Sequence, residues 1–192
     1  MSLKLEFPKD FLWGAATSAY QVEGGIENND WANVYPAGKA ADQYNRYEED
    51  FDLIKKLNQN AHRLSVEWSR IEPELGKFDS KEIQHYKDVL RALKARNITT
   101  VVTIWHWTNP IWFADRGGWA YRGNLKYFFE YVDVVVGEFG EFVDYWVTLN
   151  EPMNHVALGY LIGSFPPQKK NPLKAIGVLH NLVLAHKETY EV

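Results

Sequence analysis

The sequence predicts an α/β fold made of four consecutive β-then-α units on a parallel sheet. Three observations point there. Short apolar or β-branched runs alternate with longer segments of helical period along the whole chain. No linker or low-complexity segment interrupts them, so the chain reads as one region, residues 1–192. The segment Ile98 to Trp107 is almost unbroken in β-branched and aromatic residues, as a strand buried on both faces is. Repeating βα units imply a parallel sheet, either open and doubly wound or part of a closed barrel.

The elements follow in order. Phe11 to Val22 is apolar and rich in small residues, a strand running into a loop. Asp42 to Leu57 places Tyr44, Tyr47, Phe51, Ile54 and Leu57 at helical spacing, and its charged stretch Glu48 to Lys56 is a solvated face. Asn60 to Trp68 is the second strand and ends at the loop S-R-I-E-P. Ser80 to Arg96 is a helix with Asp79 as its cap and Glu82 three residues on, the spacing of a capping box. The third strand, Ile98 to Trp107, is followed by a helix over Asn124 to Phe139 with Leu125, Phe128, Val132, Val135 and Phe139 facing inward. Phe142 to Leu149 is the fourth strand. Asn171 as cap and Pro172 at the first position start a last helix running from Leu173 towards Val192. Trp13, Trp105, Trp119 and Trp146 are expected to be structural.

Composition removes several functions. The 192 residues are 46% apolar and 24% charged, with a net charge of −4, which is globular and leaves no electrostatic footprint for nucleic acid or an anionic membrane. Cysteine is absent, which excludes disulfides and thiolate zinc sites. No run approaches the ~18 apolar residues of a membrane span, and the N-terminus has no signal-peptide stretch. The expectation is a soluble, cytoplasmic protein. The turn Q-V-E-G-G-I-E-N-N-D is neither a dinucleotide fingerprint nor a P-loop, which argues against a nucleotide. No metal is expected, since the histidines lack ligand spacing.

In parallel α/β folds the chemistry sits at the C-terminal strand ends. The residues there are Gln21 and Glu23, Glu67 and Arg70, His106 and Trp107, and Asn150 and Glu151. Amides, imidazole and carboxylates match sugar hydroxyls, and indoles match the apolar faces of the ring. Cleaving a glycosidic bond needs one carboxylic acid to protonate the leaving oxygen and a second carboxylate on the other face. Desolvation among aromatic residues is one way to keep such an acid protonated.

F-L-W-G-A-A-T-S-A-Y-Q-V-E-G-G (Phe11 to Gly25) resembles the N-terminal signature of glycoside hydrolase family 1. N-A-H-R-L-S-V-E-W-S-R-I-E-P (Asn60 to Pro73) and V-T-I-W-H-W-T-N-P-I-W-F (Val102 to Phe113) resemble its second- and third-strand segments. W-V-T-L-N-E-P (Trp146 to Pro152) is similar to its acid/base motif, and H-N-L-V-L-A-H (His180 to His186) to its fourth helix. The resemblance implies the first half of a (βα)8 barrel and roles position by position. Glu151 matches the general acid/base. Asn150 matches the ligand of the 2-hydroxyl, Gln21 and His106 match glycone ligands, and Trp107 matches a neighbour in the same wall. Arg63 matches the arginine that keeps the nucleophile ionised. No cofactor is implied.

Four departures bear on substrate preference: His62 stands for a usual Tyr, Glu67 for a usual Ser, Met153 for an often larger residue, and the stretch Asn28 to Ala40 is short for a first loop. The family's nucleophile lies in a T-E-N-G-type motif on the seventh strand, and neither that motif nor strands five to eight occur here. The expected substrate is a β-linked sugar, cleaved by double displacement with retention. The expected partner is a complementary C-terminal half or a second copy, because a half-barrel leaves two unpaired edge strands. The alternative is a non-catalytic carbohydrate-binding or self-assembling half-barrel. Glu23, Glu67, His155, His180 and His186 are read as structural.

Overall fold

The computed structural model describes residues 6–192. The elements are β1 (Gly14–Ala16), α1 (Ala19–Val22), α2 (Gln43–Lys56), β2 (Ala61–Ser65), α3 (Trp68–Ile71), α4 (Ser80–Ala95), β3 (Thr99–Trp105), α5 (Ile111–Asp115), α6 (Leu125–Phe139), β4 (Tyr145–Leu149), α7 (Pro152–Val156) and α8 (Pro172–Tyr190). The four strands form one parallel sheet in the order β1-β2-β3-β4. Gly14 pairs with Ala61, Ala61 with Thr99, and Val101 with Tyr145. A doubly wound sheet reverses its strand order at a switch point. This sheet never reverses, so of the two architectures open to four βα units it takes the arc of a barrel.

The long helices lie in sequence order outside the sheet, α2 beside α4, α4 beside α6 and α6 beside α8. The core fills the layer between: Leu64, Val102 and Ile104 meet Leu90, Leu93, Val132, Val135 and Leu182. Each large apolar side chain fully buried there contributes roughly 1.5–3 kcal/mol. Asp79 caps α4 as its sequence suggests, accepting from the N–H groups of Lys81 and Glu82. The reciprocal arm of the capping box goes elsewhere, for Glu82 takes the Tyr44 hydroxyl and lies 4.0 Å from Arg70. Asn171 caps α8 through the Lys174 N–H, with Pro172 at the first turn.

The strands are shorter than their apolar patterns. β2 stops at Ser65 because Glu67, expected in the strand, turns to cap α3 through the Ser69 N–H. Short helices α1, α3, α5 and α7 occupy the segments after the four strands, too short to carry a periodic signal. Leu57 ends α2 as its cap residue and is 70% exposed rather than buried. Trp105 and Trp119 are buried, whereas Trp13 is 48% exposed and packs on Phe7 and Phe11. The reason is position: Trp13 precedes the outer strand β1, all three residues of which are exposed. At the other edge Tyr145 on β4 is 57% exposed, and an open groove of about 490 Å³ runs between β4 and α8, walled by Trp146, Leu149, Leu179 and Val183.

Candidate active site

Because the strands are parallel, their C-terminal ends share one rim. Arg63 lies in β2. Its Nε donates to the Thr103 hydroxyl on β3 at 2.8 Å, and its terminal nitrogen donates to Asn150 Oδ1 at 2.5 Å. Pairing with Glu67, the simplest structural use for Arg63, does not occur; Glu67 instead accepts from Ser69 and Thr108 hydroxyls at 2.6 and 2.9 Å. Burial lowers the affinity of Arg63 for its proton, and the negative charge of Glu151 works against that. Asn150 directly follows β4, is buried, and has its Nδ2 3.2 Å from His106 Nε2. Burial, then the charge of Arg63, pushes the His106 imidazole down to about 4, so it is neutral near pH 7.

Trp107 donates its indole N–H to the Asn150 carbonyl at 2.9 Å. Its ring stacks on Trp31 with centroids 5.9 Å apart and planes 15° from parallel, and Phe165 lies 5.4 Å away. Glu151 is exposed and accepts from Asn154 Nδ2 at 2.8 Å. Trp107 and Glu151 both have positive φ, 74° and 43°. Such conformations cost a residue with a Cβ of order 1–3 kcal/mol and gather at functional sites. Here they turn the chain sharply where β3 and β4 meet the rim.

The structure thus links Arg63, His106, Trp107, Asn150 and Glu151 in one contiguous group. Gln21 stands apart. It is exposed on α1 and bonds to Ser18 Oγ at 2.7 Å, and α1 is tied to β2 where Ser65 Oγ accepts the Ala19 N–H. The aromatic enclosure expected around the acid is not supplied to Glu151 by these residues. Sequence reasoning missed Trp31 and Phe165, which complete the wall with Trp107. A tryptophan inside the polar run N-N-D-W was the available signal for the first; Phe165 gave none.

A buried ionic layer joins the end of α1 to α3 and α4. Arg70 donates to Glu23 at 2.9 Å and to the Gly24 carbonyl at 2.7 Å, and the Tyr86 hydroxyl donates to Glu23 at 2.9 Å. Burial raises Glu23 to about 7 despite those partners. Asn109 is a second hub. Its Oδ1 accepts both the Trp105 and Trp119 indole N–H groups at 3.0 and 2.9 Å, while its N–H and Nδ2 donate to Asp30. Asp30 precedes Trp31, so this hub fixes the wall.

Among the described residues no set of three or more His, Asp or Glu is placed to hold a metal ion, and no helix is long and apolar enough to cross a membrane.

The model of glycosyl hydrolase family 1 matches residues 3–192. The chain is 36% identical to a 1,4-β-D-glucan glucohydrolase of Thermotoga neapolitana over 97% of this chain and 48% of that protein. It is 36% identical to β-glucosidase A of Acetivibrio thermocellus over 95% of this chain and 44% of that one. Its structure is similar to a β-glycosidase from Pyrococcus horikoshii, with a TM-score of 0.94 and 39% identity over 97% of this chain and 46% of that one. A β-glucosidase from Thermotoga maritima in complex with castanospermine matches with a TM-score of 0.93 and 36% identity, over 96% and 46% of the two chains. The chain spans about half the length of the curated relatives it matches.

Proposed function

The chain belongs to glycosyl hydrolase family 1, and on that premise we propose that it is the acid/base-bearing half of a retaining β-glycosidase. The observation that carries this reading is the chain of contacts from Arg63 through Asn150 to His106, whose middle member directly precedes Glu151. Glu151 protonates the glycosidic oxygen as the bond to the anomeric carbon breaks. A carboxylate from outside this chain attacks the opposite face and forms a glycosyl ester. Glu151, now a carboxylate, then takes a proton from water as that water attacks the same carbon and breaks the ester bond, releasing the partner carboxylate and restoring the starting configuration. Asn150, His106 and Gln21 hold the glycone hydroxyls, and Trp107, backed by the buried Trp31, walls the ring. Arg63 sets the Asn150 amide and holds positive charge where the partner carboxylate sits ionised.

The second carboxylate comes with a partner that pairs with the β4 edge and fills the groove along α8. A complementary half is the reading supported by the chain's share of its relatives' length. The test is reconstitution. Mixed with the remaining half of a relative, the chain is expected to hydrolyse an aryl β-glucoside with retention. Glu151→Gln is expected to abolish that turnover, and azide to restore part of it as a glycosyl azide. Unchanged activity in Glu151→Gln would sink the assignment. Glucose binding with no turnover in any mixture would favour the carbohydrate-binding alternative.

A further inference from the structure

The turn that carries Trp107 is strained, with φ at 74°, and such a conformation persists only where its surroundings over-determine it. Two acids anchor this turn. Asp30 does so through Asn109, whose Nδ2 also lies 3.3 Å from the Trp107 carbonyl and donates to it. Glu67 does so through Thr108: its carboxyl accepts the Thr108 hydroxyl at 2.9 Å, the only hydrogen bond of that hydroxyl among the described residues. Both ends of this second bond are buried, Glu67 at 1% exposed and Thr108 at 6%. We propose that Glu67 is a positioning residue for sugar binding, which through Thr108 fixes the turn from His106 to Asn109 and so holds the Trp107 ring as the wall of the site. The inference rests on the hydrolytic reading for what Trp107 faces, and not for how Trp107 is held.

Glu67 is itself fixed before it reaches Thr108. Its N–H donates to the Tyr86 hydroxyl at 3.0 Å, and that hydroxyl donates on to Glu23. Its other carboxyl oxygen accepts the Ser69 hydroxyl at 2.6 Å and caps α3. A carboxyl held both at its backbone and at its far oxygen is a rigid strut, and its bond to Thr108 crosses from the end of β2 to the end of β3. Within the turn the Thr108 N–H donates to the His106 carbonyl at 3.0 Å, so Thr108 cannot shift without disturbing the residues on either side of that bond. The Trp107 indole reports such a shift, for its N–H reaches the Asn150 carbonyl on the next strand end. Length matters as well. The serine usual in the family carries its oxygen on Cβ, two carbons short of the Glu67 carboxyl oxygens, and does not span the distance to Thr108.

The experiment reads Trp107 directly. Its indole N–H signal in a ¹H–¹⁵N spectrum of the folded chain is assigned by its loss in Trp107→Phe. Thr108→Val keeps the shape of the side chain and removes the donor, and is expected to move that signal; Thr108→Ser is expected to restore it. Glu67→Met is expected to act as Thr108→Val does, and if it does not fold the two Thr108 variants decide. In the chain reconstituted with the remaining half of a relative, Thr108→Val is expected to raise KM for an aryl β-glucoside roughly three- to tenfold, the weight of one hydrogen bond, with kcat altered less than about twofold. The split follows because a wall touches the sugar ring alike in the ground state and the transition state. A Trp107 signal unchanged in Thr108→Val overturns the inference even if stability falls, and so does a loss confined to kcat. A signal that moves in a chain whose mixtures hydrolyse nothing faults the hydrolytic reading and leaves the hold of Glu67 on Trp107 standing.

Discussion

Arg63 and Asn150 lie 87 residues apart, and a 2.5 Å hydrogen bond joins the guanidinium of one to the amide oxygen of the other. That bond decides the chemistry of a third residue. With Oδ1 committed to a cation, the amide presents Nδ2 to His106, and Nδ2 can only donate. His106 Nε2 must therefore accept, and its proton resides on Nδ1.

The first prediction follows from that geometry. Ring ¹⁵N shifts of His106 at neutral pH are expected to show an unprotonated Nε2 and a protonated Nδ1. Arg63→Met is expected to release the Asn150 amide and mix the tautomers. In a reconstituted enzyme it is expected to lower kcat/KM roughly 10- to 100-fold, the range of one charge-assisted hydrogen bond of about 1.5–3 kcal/mol. A protonated Nε2 in the unmutated chain would show that the amide is oriented the other way.

His62 predicts an acid limb. It is 3% exposed beside Phe51 and Thr17, and burial pushes its imidazole from the ordinary 6.5 down to about 4, with Asp50 opposing. A histidine whose folded-state affinity for the proton is depressed adds stability above pH 6.5, and that stability drains away as pH falls towards 4. The full effect is up to about 3 kcal/mol. Glu23 and Asp30, both raised to about 7 by burial, act in the opposite sense and lose stability as pH climbs to 7. His62→Phe removes one histidine and leaves the carboxyls, so the denaturant midpoint at pH 7 minus that at pH 4.5 is expected to be smaller, or more negative, in the variant. The same signed difference in the two proteins would count against a buried neutral His62.

Gly24 and Gly25 separate strain from crowding. Both have positive φ, 78° and 67°. A Cβ on Gly24 would stand 2.1 Å from the Lys39 carbonyl oxygen, whereas one on Gly25 meets nothing. Gly25→Ala is expected to cost about 1–2 kcal/mol from backbone strain alone, and Gly24→Ala about 2–4 kcal/mol because the Lys39 segment must also move. Thermal denaturation of the two variants side by side tests this, and a smaller loss for Gly24→Ala would contradict it.

Asn109 carries a similar weight for polar reasons. Asn109→Leu strands two buried indole N–H groups and frees Asp30, so a loss of roughly 3 kcal/mol or more is expected. Near-ultraviolet circular dichroism is expected to change with it, since Trp105, Trp119 and the Trp31–Trp107 stack all depend on this residue. Asn109→Asp retains an acceptor for the indoles but sets a second carboxylate beside Asp30, and is expected to be destabilised more at high pH than at low. A pH-independent loss in Asn109→Asp would argue that the hub is not electrostatic.

The legible part of the site was the part held in short contiguous motifs. His106 with Trp107, and Asn150 with Glu151, directly follow strands whose β-branched runs mark them, so the end of the run places the chemistry. Arg63 was legible as a position but not as a contact: its partner is not the nearby Glu67 but Asn150, two strands away. Trp31 and the Asp30–Asn109 hub were not legible, because their meaning lies in pairings across 76 and 79 residues that no local pattern encodes. Glu23 and His155 were read as structural. Glu23 holds the Arg70–Tyr86 layer, and His155 is buried against the Trp105 and Tyr160 rings.

By itself, the sequence determined the α/β alternation, the helix caps at Asp79 and Asn171, the order of the strands along the chain and the residues that end them. Those features depend on period, propensity and capping, which act over a few residues. Only the tertiary structure decided that the sheet runs β1-β2-β3-β4 without reversal, that Glu67 turns away from Arg63, and that Asn150 faces Arg63 with its oxygen. Each of these is a choice among partners with similar local chemistry, and only packing the strand ends onto one rim makes one partner near and the others far.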